Sequence, residues 1–205
     1  LSLQAQVSMK DSSINLNMMH ITYRPLVPLG DLAERYGLLN SLGFEVSHKF
    51  ASNWIVDAGV NVIADGDVKV SESFDVLSEL RINGGLVVND AGTPTSVRQR
   101  AGGWMAPLSI GRVFPVGGNP NSGLYAKIGT QFFQHNIRFQ IDEGPVSALN
   151  QGRQSAYDLR TNGLGIRQEV GYLFLSNDGY VNFSIGLDFS QNFTQNRRSF
   201  NILTG

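Results

Sequence analysis

Apolar and polar residues alternate with a period of two along most of this chain. Successive side chains of an extended strand point to opposite faces, so this period predicts β-strands. The clearest run sets Leu42, Phe44, Val46 and Phe50 on one face and Gly43, Glu45, Ser47 and Lys49 on the other. After Ala51-Ser52-Asn53, a second run sets Trp54, Val56, Ala58, Val60 and Val62 against Asp57, Gly59 and Asn61. Two strands joined by so short a connection form a β-hairpin. The pattern returns at Leu124–Phe133, at Leu164–Phe174 and, after the turn tetrad Ser176-Asn177-Asp178-Gly179, at Val181–Phe189. Weaker runs cover roughly Ile14–Arg24 and Trp104–Phe114, and the phase change at Met18-Met19 predicts a bulge.

The connections alternate in length. Those at 51–53, 115–122 and 176–179 are short, whereas 25–38, 64–102 and 141–163 are long. Short turns at one end and long loops at the other are the layout of an up-and-down antiparallel barrel of the outer-membrane type. Seven runs are readable, and closed bacterial barrels carry an even number of strands. The expectation is therefore an all-β transmembrane barrel of about eight strands, the last lying beyond residue 205. A strand supplied by a partner, or by Leu3 to Met9, is the alternative. With eight strands the interior is filled by side chains.

Composition narrows the class. The 205 residues suffice for one domain with a sizeable core. Charged residues make up only 16%, and the 23 glycines and 10% aromatics suit a barrel. A net charge of −1 leaves no basic footprint for nucleic acid. The absence of cysteine excludes disulfides, thiolate metal sites and cysteine nucleophiles. No apolar run approaches the roughly 20 residues of a membrane helix.

The two faces differ in chemistry. The apolar face is free of charge over the middle of four of the five clearest runs, and Gln168 is its polar interruption in the sixth. Aromatics sit at its strand ends (Phe50, Trp54, Tyr172, Phe174, Phe189), where a bilayer interface favours them. The opposite face mixes Gly and Ser with Glu45, Lys49, Asp57, Lys127, Arg167, Glu169 and Asp188. Three positive and four negative groups near balance predict a paired network plugging the lumen, with Lys49 against Asp57 and Arg167 against Asp188. A gated ion path is the other reading of the same charges. A soluble lipocalin-like binder would show its polar face to water instead.

Segments such as Leu42-Gly43-Phe44-Glu45-Val46 and Gly165-Ile166-Arg167-Gln168-Glu169-Val170-Gly171-Tyr172 resemble those of small OmpA-type outer-membrane β-barrel, or porin-family, proteins of Gram-negative bacteria. The resemblance covers roughly residues 14–195 and is uninformative about activity. Residues 1–13 read as a signal-peptide remnant or N-terminal tail, with a small residue before a cut after Ala5, and 14–205 as one barrel domain. The Leu3-Gln4-Ala5-Gln6 tail resembles signal-peptide ends of Bacteroidota. The resemblance implies an integral outer-membrane location and, in that phylum, a role as an accessory subunit of a secretion or assembly complex.

Candidate chemistry is sparse. A hydrolase needs a nucleophile within hydrogen-bond reach of a base. His48 follows Ser47, but neighbours on a strand face opposite ways. His20 lies on one face with Thr22, with Arg24 beyond, and His135 ends a strand between Gln134 and Asn136. Asp65-Gly66-Asp67 is the one short acidic run, and a turn accounts for it. No catalytic, cofactor or metal site is expected. In the loops, Gly30 to Gly37 predicts a short amphipathic helical turn with Leu29, Leu32 and Tyr36 on one side. The loop from Asp65 to Gly103 is unusually apolar, with Phe74, Leu77, Leu80 and Leu86. Contiguous apolar surface marks interaction sites, so these seven residues are the candidate partner contacts. Arginines 98, 100, 153 and 160 are placed to meet lipopolysaccharide phosphates. The expected function is a non-enzymatic structural or partner-binding barrel, with outer-membrane lipid, lipopolysaccharide and other outer-membrane proteins or lipoproteins as partners. The alternatives are a lipid-modifying barrel enzyme and a narrow porin-like channel.

Overall fold

Each of the seven alternating runs forms a strand of one antiparallel sheet. The computed structural model describes residues 12–69, 81–82, 86–149, 160–177 and 182–197. In chain order the elements are β1 (Leu16–Leu26), helix α1 (Asp31–Arg35), β2 (Tyr36–Lys49), β3 (Trp54–Val68), three short strands β4 (Arg81–Ile82), β5 (Leu86–Val88) and β6 (Pro94–Thr95), then β7 (Val97–Pro115), β8 (Gly123–Ile141), a 3-10 turn at Ser147–Leu149, β9 (Thr161–Leu175) and β10 (Asn182–Asn196). The large sheet runs β1-β2-β3-β7-β8-β9-β10, a meander in which each strand pairs with its predecessor in that order.

Three features depart from the pattern in the sequence. β1 pairs with β2 without a register shift from Leu16↔Lys49 to Leu26↔Leu39, so Met18-Met19 forms no bulge. Met18 instead turns into the core at 7% exposure and Met19 faces out at 79%. Among its described residues, the segment read as one loop from 64 to 102 is largely strand. β3 continues to Val68, β7 starts at Val97, and β4, β5 and β6 make a separate three-stranded sheet. That sheet buries Val87 with Val97, Val146 and Leu149, which gives part of the apolar loop a core of its own.

The third departure concerns closure. β1 and β10 are the two edges of an open sheet, and no backbone ladder joins them. Seven strands of alternating direction leave β1 and β10 running the same way, so the antiparallel pairing that holds the rest together is not available between them. The sheet is nevertheless tightly curled. Side chains meet across its concave side, as in Tyr36 Oη to His135 Nδ1 at 3.0 Å and Arg167 Nη1 to Glu45 Oε1 at 3.9 Å.

Small residues make that curvature fit. A Cβ on Gly59 would lie 2.4 Å from Cγ of Glu45, the residue directly opposite in register. The same gap-for-bulk exchange places Gly171 and Gly186 against the Tyr125 hydroxyl. Two apolar clusters close the concave side. Tyr36, Leu39, Ile63, Ala101, Met105, Phe133 and Ile137 pack at the long-loop end. Met18, Ile55, Val113, Tyr125, Leu173 and Leu175 pack towards the short turns. There residues 12–15 pass beneath the curl, held by Ile14 N to Asn121 Oδ1 (3.0 Å) and Ser13 Oγ to Asn53 Oδ1 (2.9 Å).

Candidate functional site

Between the two apolar clusters the concave side carries seven charged groups in one network. Three are cations (Arg24, Lys127, Arg167) and four are carboxylates (Glu45, Asp57, Glu169, Asp188). They come from β1, β2, β3, β8, β9 and β10, always from the inward phase of the strand. Arg167 is its centre, with a side chain 2% exposed. Its Nε donates to Asp188 Oδ2 and its Nη2 to Glu169 Oε2, each at 2.7 Å. Lys127 Nζ lies 2.9 Å from Asp57 Oδ2 and 3.7 Å from Glu169 Oε1. It also stands 4.4 Å from the ring centroid of Tyr125, whose hydroxyl donates to Glu169 at 2.6 Å.

Arg24 lies 2.8 Å from Glu45 and 3.6 Å from Asp188, and it donates to Asn61 Oδ1 at 2.8 Å. Arg24, Asn61 and Tyr125 were not among the network residues read from the sequence. Their signal was there, because all three stand at inward positions of their strands. Buried charges without partners cost several kcal/mol each, and here each of the four carboxylates has a cation within 4 Å.

One anticipated pair does not form. Lys49 is opposite Ile55 and Asp57 opposite Ser47, so the two are diagonal. Lys49, at 0% exposure, turns down past the sheet edge to Ser13 Oγ (2.9 Å) and Asn121 Oδ1 (3.0 Å). Asp57 is met by Lys127 from across the curl.

At the long-loop end His135 is 2% exposed. Burial, with Arg35 adding to it, lowers its pKa to about 4. Its Nδ1 pairs with the Tyr36 hydroxyl, and burial pushes that hydroxyl up to about 12. His48 lies on the outside, 2.6 Å from Asn17 Oδ1, and Thr22 bonds Asn61. Neither histidine pairing supplies a base to a Ser or Thr hydroxyl. Among the described residues no group of three or more His, Asp or Glu is placed to hold a metal ion. Asp65 and Asp67 sit at the end of β3 and face Arg100 at 3.2 and 4.0 Å.

The candidate contact residues separate in space. Leu29 is 78% exposed, Leu32 packs on the upper apolar cluster, and Tyr36 opens β2 with 2% exposure. The three therefore do not share one outer side. Leu86 lies in β5 at 36% exposure. Phe74, Leu77 and Leu80 lie outside the described residues, as does Arg153.

The convex side is the inverse of the concave one. Its positions are apolar and exposed, including Leu42, Phe44, Val60, Leu108, Ile128, Ile166, Val170 and Leu187, each between 47% and 64%. Two aromatic tiers bound them. Phe50, Trp54, Phe114, Phe174 and Phe183 lie at the short-turn side, with Phe174 stacked on Phe183 at 5.0 Å. Tyr23, Trp104, Phe132 and Phe193 lie at the long-loop side, with Trp104 and Phe132 4.9 Å apart. At this level six of the seven strands carry outward apolar stretches of 9 to 11 residues (Leu42–Phe50, Trp54–Val62, Trp104–Phe114, Leu124–Phe132, Leu164–Tyr172, Phe183–Phe193). One outward position beyond the row Phe132↔Leu164↔Phe193 comes an amide row, Gln134↔Asn162↔Gln195. Tyr36 and His135 lie beyond that edge.

A cavity of about 1600 Å³ follows the open interval between β1 and β10 into the concave side. Its walls include Arg24, Glu45 and Asp188, and towards the long loops Leu39, Met105 and Phe133.

No protein family model matches the chain, and neither a curated protein nor a solved structure matches it. No described helix is long and apolar enough to cross a membrane, which leaves crossing by strands as a separate question. The class that fold and site define is an all-β, curled antiparallel meander with a charged interior and an apolar exterior.

Proposed function

We propose that this chain is an integral outer-membrane β-barrel protein of about eight strands, without enzymatic activity, that serves as a structural or partner-binding subunit. The observation that carries the reading is the convex apolar band. A membrane-crossing β-strand needs about 9–11 residues when tilted by about 45°, and the stretches between the two aromatic tiers have that length. Girdles of aromatics at both interfaces are a property of such barrels. Water would favour the reverse arrangement, with apolar groups inside and the charges of the network outside.

Closure follows from the same reading. An edge strand in hydrocarbon leaves each unpaired N–H and C=O unsatisfied at several kcal/mol. One further strand between β10 and β1, antiparallel to both, satisfies the two edges and completes eight. A strand beyond residue 205 fits the meander order. The paired network supports a filled lumen, and the resemblance to small OmpA-type barrels supports an accessory role in a larger outer-membrane complex.

Extraction tests this directly. The protein is expected to stay with membranes through high salt and urea, to leave them only with detergent, and to migrate in size separation together with other outer-membrane proteins or lipoproteins. Release by salt alone would overturn the membrane reading. Migration as a small lone micelle would remove the subunit role and leave an autonomous barrel. Single-channel steps in a planar bilayer that change with Lys127→Gln would replace the filled lumen by a narrow channel.

A further inference from the structure

Just beyond the long-loop edge of the apolar band, arginines gather on the convex side of β8, β9 and β10. Arg197 N donates to Arg160 O at 3.1 Å, which sets the two residues opposite one another just past the ends of β10 and β9. Both side chains run along the outer surface towards the band. Arg160 Nη2 donates to Gln134 Oε1 and Arg197 Nε to Asn162 Oδ1, each at 2.8 Å. Arg138, exposed, stands on the same face of β8, four positions beyond Gln134, with its side chain lying over Gly102 of β7.

Like charges directly opposite on a sheet are destabilising, and their neighbours show the usual remedy. On β7, Arg98 meets Asp142 at 3.5 Å and Arg100 meets Asp65 at 3.2 Å. Among the described residues, Arg138 and Arg197 have no carboxylate partner. The short-turn end differs, with Arg112 as the outward arginine of the strands there.

We propose that Arg138, Arg160 and Arg197 form a site for the phosphate groups of a membrane lipid headgroup. The proposal rests on the transmembrane reading. A guanidinium presents a planar fork of donors that matches phosphate oxygens, and two or three together neutralise a phosphomonoester. The site's position selects a lipid over a free anion. Phe132, Leu164 and Phe193 lie on the same face just below the amide row that the guanidinium groups reach, so a phosphate carried on acyl chains meets the guanidinium groups and the apolar wall together. A phosphorylated glycolipid of the outer leaflet has that chemistry.

The test uses the full chain in detergent with lipid A as the probe, read by native mass spectrometry. Wild type is expected to retain bisphosphorylated lipid A in preference to its dephosphorylated form. Arg138→Gln with Arg197→Gln is expected to lower the retained fraction by about tenfold or more, and Arg112→Gln to leave it unchanged. Arg138→Gln alone, at an exposed position, is expected to give a smaller loss and guards against misfolding of the double variant. Equal retention of both lipid forms, an equal loss in Arg112→Gln, or displacement by inorganic phosphate at matched ionic strength would overturn the site. Co-flotation with phosphatidylcholine vesicles reports insertion separately. A protein that floats but shows no phosphate preference loses this site and keeps the transmembrane reading, whereas one that does not float loses both.

Discussion

Arg24 on β1 and Asp188 on β10 approach to 3.6 Å across the one interval of the large sheet that has no backbone pairing. Contacts of similar length also join strands two places apart. Arg24 reaches Asn61 on β3 at 2.8 Å, and Gln131 on β8 reaches Asn192 on β10 at 2.8 Å. A contact of this reach leaves room for one further strand between the two edges. Because the cavity there is walled by Arg24, Glu45 and Asp188, whose charges are already paired, a strand entering it needs no charged residue on its inner face.

Arg167 is the hub of the interior. Arg167→Leu leaves Glu169 and Asp188 without their closest cation, and breaking a buried pair from one side costs roughly 3–5 kcal/mol. Denaturant unfolding in detergent is expected to show that loss. Arg167→Leu with Asp188→Leu is expected to recover part of it, because both charges are then removed together. Equal stability of wild type and the single variant would show that the network is not desolvated.

Gly186 leaves room for a hydroxyl. A Cβ there would lie 2.6 Å from Tyr125 Oη and 2.6 Å from the Val170 carbonyl oxygen. Gly186→Val is expected to destabilise the fold by about 1–3 kcal/mol through overpacking and through displacement of the Tyr125–Glu169 bond. Gly92→Ala, at a left-handed position with open space around it, separates strain of the backbone from collision in the interior.

The membrane reading makes a prediction about the convex face. Ile128→Lys places a charge at mid-band on a position 57% exposed. In a bilayer such a charge costs about 2–4 kcal/mol, and in water an exposed lysine is close to neutral. Folding yields into vesicles are expected to fall for Ile128→Lys and to stay unchanged for Gln140→Lys, beyond the band. Unchanged folding of both variants would argue for a water-exposed face.

His135 gives the long-loop end a pH dependence. Its folded pKa, about 4, lies below the ordinary 6.5, so the unfolded chain binds the proton more readily. Its contribution to stability is complete above about pH 6.5 and is lost as the pH falls towards 4. Hydrogen exchange of amides in β2 and β8 near Tyr36 and His135 is expected to quicken over that window, and His135→Phe to abolish the change. An unaltered pH profile in His135→Phe would assign the effect to other groups.

Asn121 is 0% exposed and ties three segments together. It accepts from Lys49 Nζ and Ile14 N and donates from Nδ2 to the Ser12 carbonyl at 2.9 Å. Asn121→Ala is expected to cost about 1–3 kcal/mol, because a buried ammonium loses an acceptor. Limited proteolysis near residue 12 is expected to speed up with it.

The alternation of apolar and polar residues determined by itself the seven strands of the large sheet, which faces they share and which ends carry the short turns. A strand has a strict period of two, so Phe44 and Glu45 cannot share a side whatever their neighbours do. The charged side was legible for the same reason. Its pairing was not. Which cation meets which carboxylate depends on register and curl, and the register placed Lys49 opposite Ile55 and sent it down to Asn121. Helix α1 (Asp31–Arg35) falls within the helical turn that Gly30 to Gly37 predicts, whereas the three-stranded sheet around Val87 and the burial of Tyr36 beside His135 came from packing between distant segments, for which a local pattern has no signal. The two aromatic tiers and the arginines beyond them belong to both levels. Each residue was visible in the sequence, but only the antiparallel registers, which set Phe132, Leu164 and Phe193 in one row and Arg160 beside Arg197 beyond it, made them edges of a band.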